Sequence, residues 1–160
     1  MSRHALPGEF FCLHCGMIVS GAFERSAVRN RNHCPYCLWS RHLDWRAPGD
    51  RLSSCKGAMR PIGLSLKNAR NKYAAVPSGE LMVVHQCAVC AAVSINRIAA
   101  DDGTGILVEV FRSSLLMEHR IRAGLENGGV RILDRSDWEI VSRRLFGESQ
   151  PVDAALQPGG

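Results

Sequence analysis

Arg31-Asn32-His33-Cys34-Pro35-Tyr36-Cys37 is the stretch that organises this chain, because it closes a clamp opened at Cys12 and Cys15. Between Cys12-x2-Cys15 and Cys34-x2-Cys37 lie the 18 residues from Gly16 to His33, a spacing that falls within the range of a four-cysteine zinc site. Two residues between cysteines let both thiolates of a tight turn face one ion, and two such turns complete a tetrahedron. The opposite ends of this first loop carry other signals. Phe10 and Phe11 lead into the first turn, and Gly16 lets the backbone return into the strand candidate Met17-Ile18-Val19. Gly21 to Asn32 reads as a polar, arginine-bearing connector.

After Cys37, Trp39, Arg41, Leu43 and Trp45 alternate with Ser40, His42 and Asp44 as a strand would. The two tryptophans are expected to share a face, as core or as stacking platforms for unpaired bases. Pro48-Gly49-Asp50 is a turn, and Cys55 follows. Met59 to Ile62 and Leu64 to Leu66 read as extended pieces, Lys67 to Gly79 as a polar connector, and Leu81 to Val84 as a strand that delivers His85, Cys87 and Cys90. With the first four cysteines assigned, Cys55, Cys87 and Cys90 need one more ligand. His85 is the economical choice, since on a strand it shares a face with Cys87; His33 and His42 are its rivals. The alternative is that Cys55 is a buried thiol and no second site forms.

Beyond Gly105 the cysteines stop. Ile106 to Phe111 and Val130 to Leu133 read as strands, and Ser113 to Leu125 as a helix. A last helix starts at a Ser136-x2-Glu139 capping box and ends at Gly147. The expected architecture is therefore α+β. A small zinc-ribbon-like β module with two zinc sites covers residues 8–103, a strand and helix extension covers 104–147 and packs on it, and 148–160 form a disordered tail.

Several longer motifs resemble the RNHCP domain family of bacteria, named from Arg31-Asn32-His33-Cys34-Pro35 itself. They are Phe11-Cys12-x2-Cys15-Gly16, Cys34-Pro35-Tyr36-Cys37-Leu38-Trp39-Ser40, His42-x-Asp44, Pro48-Gly49-Asp50-Arg51, Cys55-x-Gly57-x-Met59, His85-x-Cys87-x2-Cys90 and Asn96-Arg97-Ile98-Ala99-Ala100-Asp101-Asp102. Ala91 stands where a glycine commonly follows a knuckle. The resemblance spans residues 8 to 103 and implies a metal-binding module.

Charge and composition narrow the function. Of 160 residues, 20 are Lys or Arg and 15 Asp or Glu, a formal charge of +5. Residues 1 to 75 hold 12 of the basic residues against 4 acids, so the basic half is the cysteine-rich half. Two filled sites would bring the formal charge down to about +2, because four thiolates outweigh one divalent ion. The basic residues are 17 Arg and 3 Lys, which suits phosphate and base contacts through a planar fork. A GC-rich genome gives the same bias. Seven cysteines, mainly in Cys-x2-Cys pairs, fit metal ligation better than disulfides, and the expected compartment is the cytoplasm. Met1 to Glu9 lacks the apolar run of a signal peptide, and no segment is apolar enough to span a bilayer, so no membrane partner is expected.

The leading expectation is a non-enzymatic zinc module that binds RNA, ribosomal RNA or the ribosome in particular, through Arg25, Arg29, Arg31, Arg41, Arg46 and Arg51. A zinc-held protein-interaction module, docking through its C-terminal helices, is the alternative. A third reading is a metal-dependent nuclease, with His33 as general base and Asp101 or Asp102 on Mg²⁺.

Overall fold

A computed structural model describes residues 5–68, 79–152 and 156. Most of the 67–79 connector and part of the expected disordered tail lie outside them. Within the tail, Gln150 accepts from Trp138 Nε1 at 2.8 Å, and Leu156 packs against the main core.

The chain opens with a two-stranded antiparallel hairpin, β1 (Glu9–Phe11) and β2 (Ile18–Ser20), with Phe10 opposite Val19. A single helical turn, α1 (Phe23–Ser26), follows. Then comes a four-stranded antiparallel sheet in sequence order: β3 (Ser40–Arg41), β4 (Ala58–Asn68), β5 (Gly79–Cys87) and β6 (Val93–Arg97). The two extended pieces expected around residues 59 to 66 are one strand, with a register shift between Pro61 and Gly63 where the proline cannot donate to the ladder. The long tryptophan-bearing strand is not formed. Only Ser40 and Arg41 pair, so Trp39 packs on the first cysteine cluster while Trp45 is 62% exposed under the Arg46 guanidinium, 4.2 Å from its ring centroid.

The C-terminal part differs more from expectation. Ile106 to Phe111 is not a strand but the heart of α2 (Thr104–Leu115). Leu107, Val110, Phe111 and Ser114 are buried at the i, i+3, i+4, i+7 spacing of a helix, and that face lies on the sheet. The β-branched residues suggested a strand, but the period is helical. The expected 113–125 helix breaks at Leu116 and resumes as α3 (His119–Asn127). Val130 to Leu133 runs without strand pairing, tied down by Leu133 N–H donating to Leu64 O at 2.8 Å and by Arg122 donating to Ile132 O and Ser114 O at 2.8 and 2.7 Å. The last helix, α4 (Trp138–Phe146), ends on Gly147 in the left-handed conformation as expected. Its cap lies two residues earlier than the sequence pattern suggests: Asp134 and Asp137 form the reciprocal box around a 3-10 turn.

One apolar core joins both halves of the chain. Leu38, Leu64, Leu81 and Val83 meet Leu107, Phe111, Trp138 and Val141 in a single buried cluster. The helices therefore cover one face of the sheet rather than folding around a core of their own. Among the described residues, no helix is long and apolar enough to cross a membrane.

Candidate metal centres and basic groove

The first cysteine cluster is built by two turns of the same design. Cys12 N–H donates to Met17 O and Gly16 N–H to Cys12 O, both at 2.9 Å; Cys34 N–H donates to Trp39 O at 2.9 Å and Leu38 N–H to Cys34 O at 2.8 Å. Each turn needs a left-handed residue after its second cysteine, supplied by Gly16 and by Leu38 at φ 73° and 59°. Leu38 tolerates this conformation while being fully buried in the main core. The four sulfurs of Cys12, Cys15, Cys34 and Cys37 lie within 4.8 Å of one another. Cys12 and Cys37 Sγ are 3.5 Å apart, Cys15 and Cys34 Sγ 3.6 Å. A disulfide needs about 2.05 Å. The edge of a tetrahedron around an ion with bonds of about 2.3 Å is about 3.8 Å, which is close to what is seen.

The second cluster is His42, Cys55, Cys87 and Cys90, again with ligand atoms within 4.8 Å. Cys55 and Cys87 Sγ are 3.7 Å apart, and His42 Nδ1 lies 3.3 Å from Cys90 Sγ. Cys87 and Cys90 stand on a third turn of the same hydrogen-bond design, with Ala91 at φ 62° where the first turn has Gly16. Cys55 arrives on a loop whose Gly57 is sterically required, because a Cβ there would meet Cys87 Sγ at 2.9 Å and Val89 Cγ2 at 2.8 Å. His42 is delivered from β3, its N–H donating to Gly57 O at 2.8 Å.

His85, the ligand expected from sequence, is elsewhere. Its Nε2 donates to Leu38 O at 2.6 Å and its Nδ1 accepts from the Asn96 amide at 2.8 Å, so both ring nitrogens are occupied. Burial, the largest cause, holds this imidazole neutral with a pKa lowered to about 3. His85 and Cys87 do stand two apart on one strand, but the imidazole is taken up by Leu38 O and the Asn96 amide instead of reaching the thiols. His42 is opposite Gly57 only because β3 pairs with β4, a long-range contact that residue spacing does not reveal.

The thiols respond to this crowding. Burial pushes Cys34 up to about 11, and Cys37 is raised for the same reason, with neighbouring thiols adding to the shift in both. In the second cluster burial works against Cys87, but N–H donors from Cys90 and Val89 and the thiols of Cys90 and Cys55 outweigh it, lowering its pKa to about 6. Four sulfurs this close cannot all ionise by themselves, whereas a divalent cation at their centre reverses the balance. The donor sets thus fit two metal ions.

His33, Arg31 and the paired aspartates do come together, as a buried ion-pair network. Arg31 Nη1 reaches both oxygens of Asp101 at 2.7 Å, Arg31 Nη2 reaches Asp102 Oδ1 at 3.2 Å, and Arg31 Nε donates to His33 O at 3.0 Å. His33 Nε2 is 2.8 Å from Asp102 Oδ2, which also accepts from Ala99 N–H at 2.7 Å. The side chains of Arg31 and Asp102 are fully buried. Two expectations are corrected by this. Arg31 is not a surface phosphate contact, and Asp102 is engaged on both oxygens by protein donors, not held open for Mg²⁺. The network instead pins the second turn to the start of α2, where Gly103 N–H donates to Pro35 O at 3.3 Å.

Of the remaining arginines, Arg25, Arg29, Arg41 and Arg46 are exposed and Arg51 is half-buried. Three clefts of about 380, 330 and 370 Å³ adjoin one another, Asn32 lining all three. Arg41 and Arg51 line the first, Arg29, Lys67 and Arg97 the second, and Arg41 and Arg46 the third, beside Trp45. Arg25, on α1, lines none of them. Two carboxylates line these clefts and both accept from backbone: Glu9, in the first, from Leu6 N–H at 3.1 Å, and Asp44, in the second and third, from Gly49 and Arg51 N–H at 2.8 and 3.1 Å.

Compared with known protein families, the chain matches the family model described as RNHCP domain over residues 7–108. No curated protein and no solved structure matches this chain.

Proposed function

We propose that this chain, which belongs to the RNHCP domain family, is a non-enzymatic module that is held together by two zinc ions and binds RNA, with ribosomal RNA as the expected class. Zinc suits the donor sets best: thiolate-rich, four-coordinate and without an open position, they support structure and leave no site at which water would be activated. The observation that carries the RNA reading is the continuous groove around Asn32. It combines exposed guanidinium groups with the exposed Trp45, the pairing of charge and aromatic surface that binds single-stranded nucleic acid. A groove of this kind makes its contacts mostly to phosphates.

Fluorescence anisotropy of the full-length zinc protein with ribosomal RNA fragments over graded KCl tests it. Engagement of Arg29, Arg41 and Arg46 with three phosphates would give a slope of about −2 in log K against log salt on a single strand. Absence of binding at low salt overturns the reading. One observation favours a second reading, a protein-docking module: Leu116, in the turn between α2 and α3, is 87% exposed, and Ile121 of α3 is also exposed. That surface would give an interaction tolerant of salt.

A further inference from the structure

The first of the three clefts has a feature the others lack. Arg51 Nη1 is buried there and has no hydrogen-bond partner among the described residues. Buried guanidinium donors are normally satisfied, because leaving one unpaired forfeits its hydration without return. The residue is tied to Asp44: its backbone N–H donates to Asp44 Oδ1 at 3.1 Å, and its Nε lies 3.8 Å from the same oxygen, an ion-pair distance longer than a hydrogen bond. The residue also holds a left-handed backbone, φ 55°, that an arginine does not adopt by preference. Arg51 is therefore held to Asp44 through its backbone, with Nη1 left unpaired in the wall of the cleft.

The walls around it are aromatic and polar. Phe10, His14 and Trp39 line the cleft, His14 stacked over one face of Trp39 at 4.2 Å with rings 5° from parallel, which leaves the Phe10 side and the other Trp39 surface for a ligand. Asn32 lines it too. The other cleft arginines are Arg31, which is consumed by Asp101 and Asp102, and Arg41, whose Nε donates to Lys56 O at 3.3 Å. A volume of about 380 Å³ is that of a small-ligand site. It is far too small for a duplex.

From these features we infer that the cleft is a subsite for one unpaired nucleobase, guanine, seated against Phe10 and Trp39 with its O6 and N7 edge on the Arg51 fork. Guanine presents two adjacent acceptors, O6 and N7, which matches parallel guanidinium donors; adenine sets a donor beside N7 and uracil separates its carbonyls by N3–H. Cytosine pairs N3 with O2 but offers only one ring to stack, so CMP is the competitor that the titration must exclude. Stacking on the aromatic walls supplies affinity without selectivity. Arg41, at the rim, is placed for the attached phosphate. The inference deepens the RNA reading and rests on it for its biological meaning, but the cleft can be tested by itself.

The probes are 5′-GMP, AMP, CMP and UMP, with inorganic phosphate as the control for charge alone, titrated into the full-length zinc protein and followed by NMR. GMP is expected to shift the Trp39 indole and Arg51 Nε signals and to bind about tenfold more tightly than AMP. In Arg51→Lys, which keeps the charge but loses the fork, that preference should vanish while zinc content is unchanged. Equal affinity for the four nucleotides in the wild-type protein, or the same shifts from inorganic phosphate, overturns the inference. So does salt-dependent RNA binding with no GMP effect at Trp39, a result that leaves the RNA reading intact. GMP held at Trp39 without any RNA binding supports the cleft and removes the RNA reading instead.

Discussion

The hairpin end of the molecule and its sheet-and-helix end are stabilised by different means. Around β1 and β2 the buried apolar set is only Cys12, Val19 and Cys34, with Phe10, Cys37 and Trp39 packed at its margin. Two of those three buried residues are proposed metal ligands, so removing the ion removes the core with it. Behind the four-stranded sheet, by contrast, eleven buried residues from Leu38 to Val141 form one continuous cluster that contains no ligand. The difference teaches where each perturbation should act: chelation should dismantle the first region, and cavity mutations the second. Leu38 and the Arg31–Asp102–His33 network are the physical links between them.

The largest effect should come from Cys34→Ser. Structural zinc contributes on the order of 10 kcal/mol to such sites, which exceeds anything the three-residue hairpin cluster can supply. Metal analysis should fall from two equivalents to one, and NMR signals from residues 9 to 37 should collapse to random-coil positions. If those signals stay dispersed without the ion, the hairpin has a core that burial does not reveal. His42→Ala should likewise lose an ion, the second one, whereas His85→Ala should keep two equivalents and lose stability only. The reverse pattern would restore His85 as the ligand.

Phe111→Ala attacks the other region. A fully buried phenylalanine in contact with Trp138, ring centroids 5.6 Å apart, costs about 3 to 5 kcal/mol when truncated. The melting temperature should drop steeply while zinc content stays at two. Loss of zinc in this variant would mean that the ligand turns depend on the helices more than their own hydrogen bonds indicate. Asp102→Ala tests the link and should cost about 3 kcal/mol, because it strands Arg31 and His33 partly unpaired in the interior. Both regions should loosen together, seen as faster amide exchange at Ser26 and Cys34 as well as at Leu107.

Much of the first region was legible in the sequence because its logic is local. Cys-x2-Cys spacing dictates a turn, and two turns dictate a cluster, so Cys12, Cys15, Cys34 and Cys37 are found together as spacing implies. The second cluster was legible in its thiols but not in its histidine, since only the β3–β4 pairing brings His42 to Cys55. Arg31 was misread for a related reason. In sequence it is one of several arginines in a polar loop, and its partners Asp101 and Asp102 lie 70 and 71 residues away. In the C-terminal part, local propensity and tertiary packing disagree: Ile106, Val108 and Val110 favour a strand, yet the face that the sheet buries repeats at helical spacing.

The smallest predicted effect sharpens the comparison most. Ala91 and Leu38 occupy the same place in two turns of the same design, both left-handed at φ 62° and 59°, and both carry a Cβ where glycine would be relaxed. Replacing either with glycine should remove about 1 kcal/mol of backbone strain. Ala91 is exposed and has no packing to lose, so Ala91→Gly should raise the melting temperature by about 2 to 4 °C. Leu38 is fully buried in the main core, and Leu38→Gly should forfeit at least the 2 to 5 kcal/mol of a leucine truncation, about twice or more what the turn gains. One substitution type, one backbone geometry and opposite signs are expected, read by thermal unfolding of the two zinc-loaded variants beside the wild type. A Leu38→Gly protein as stable as the wild type would mean that this turn is held by its metal alone, and that the core does not reach through Leu38 into the hairpin region.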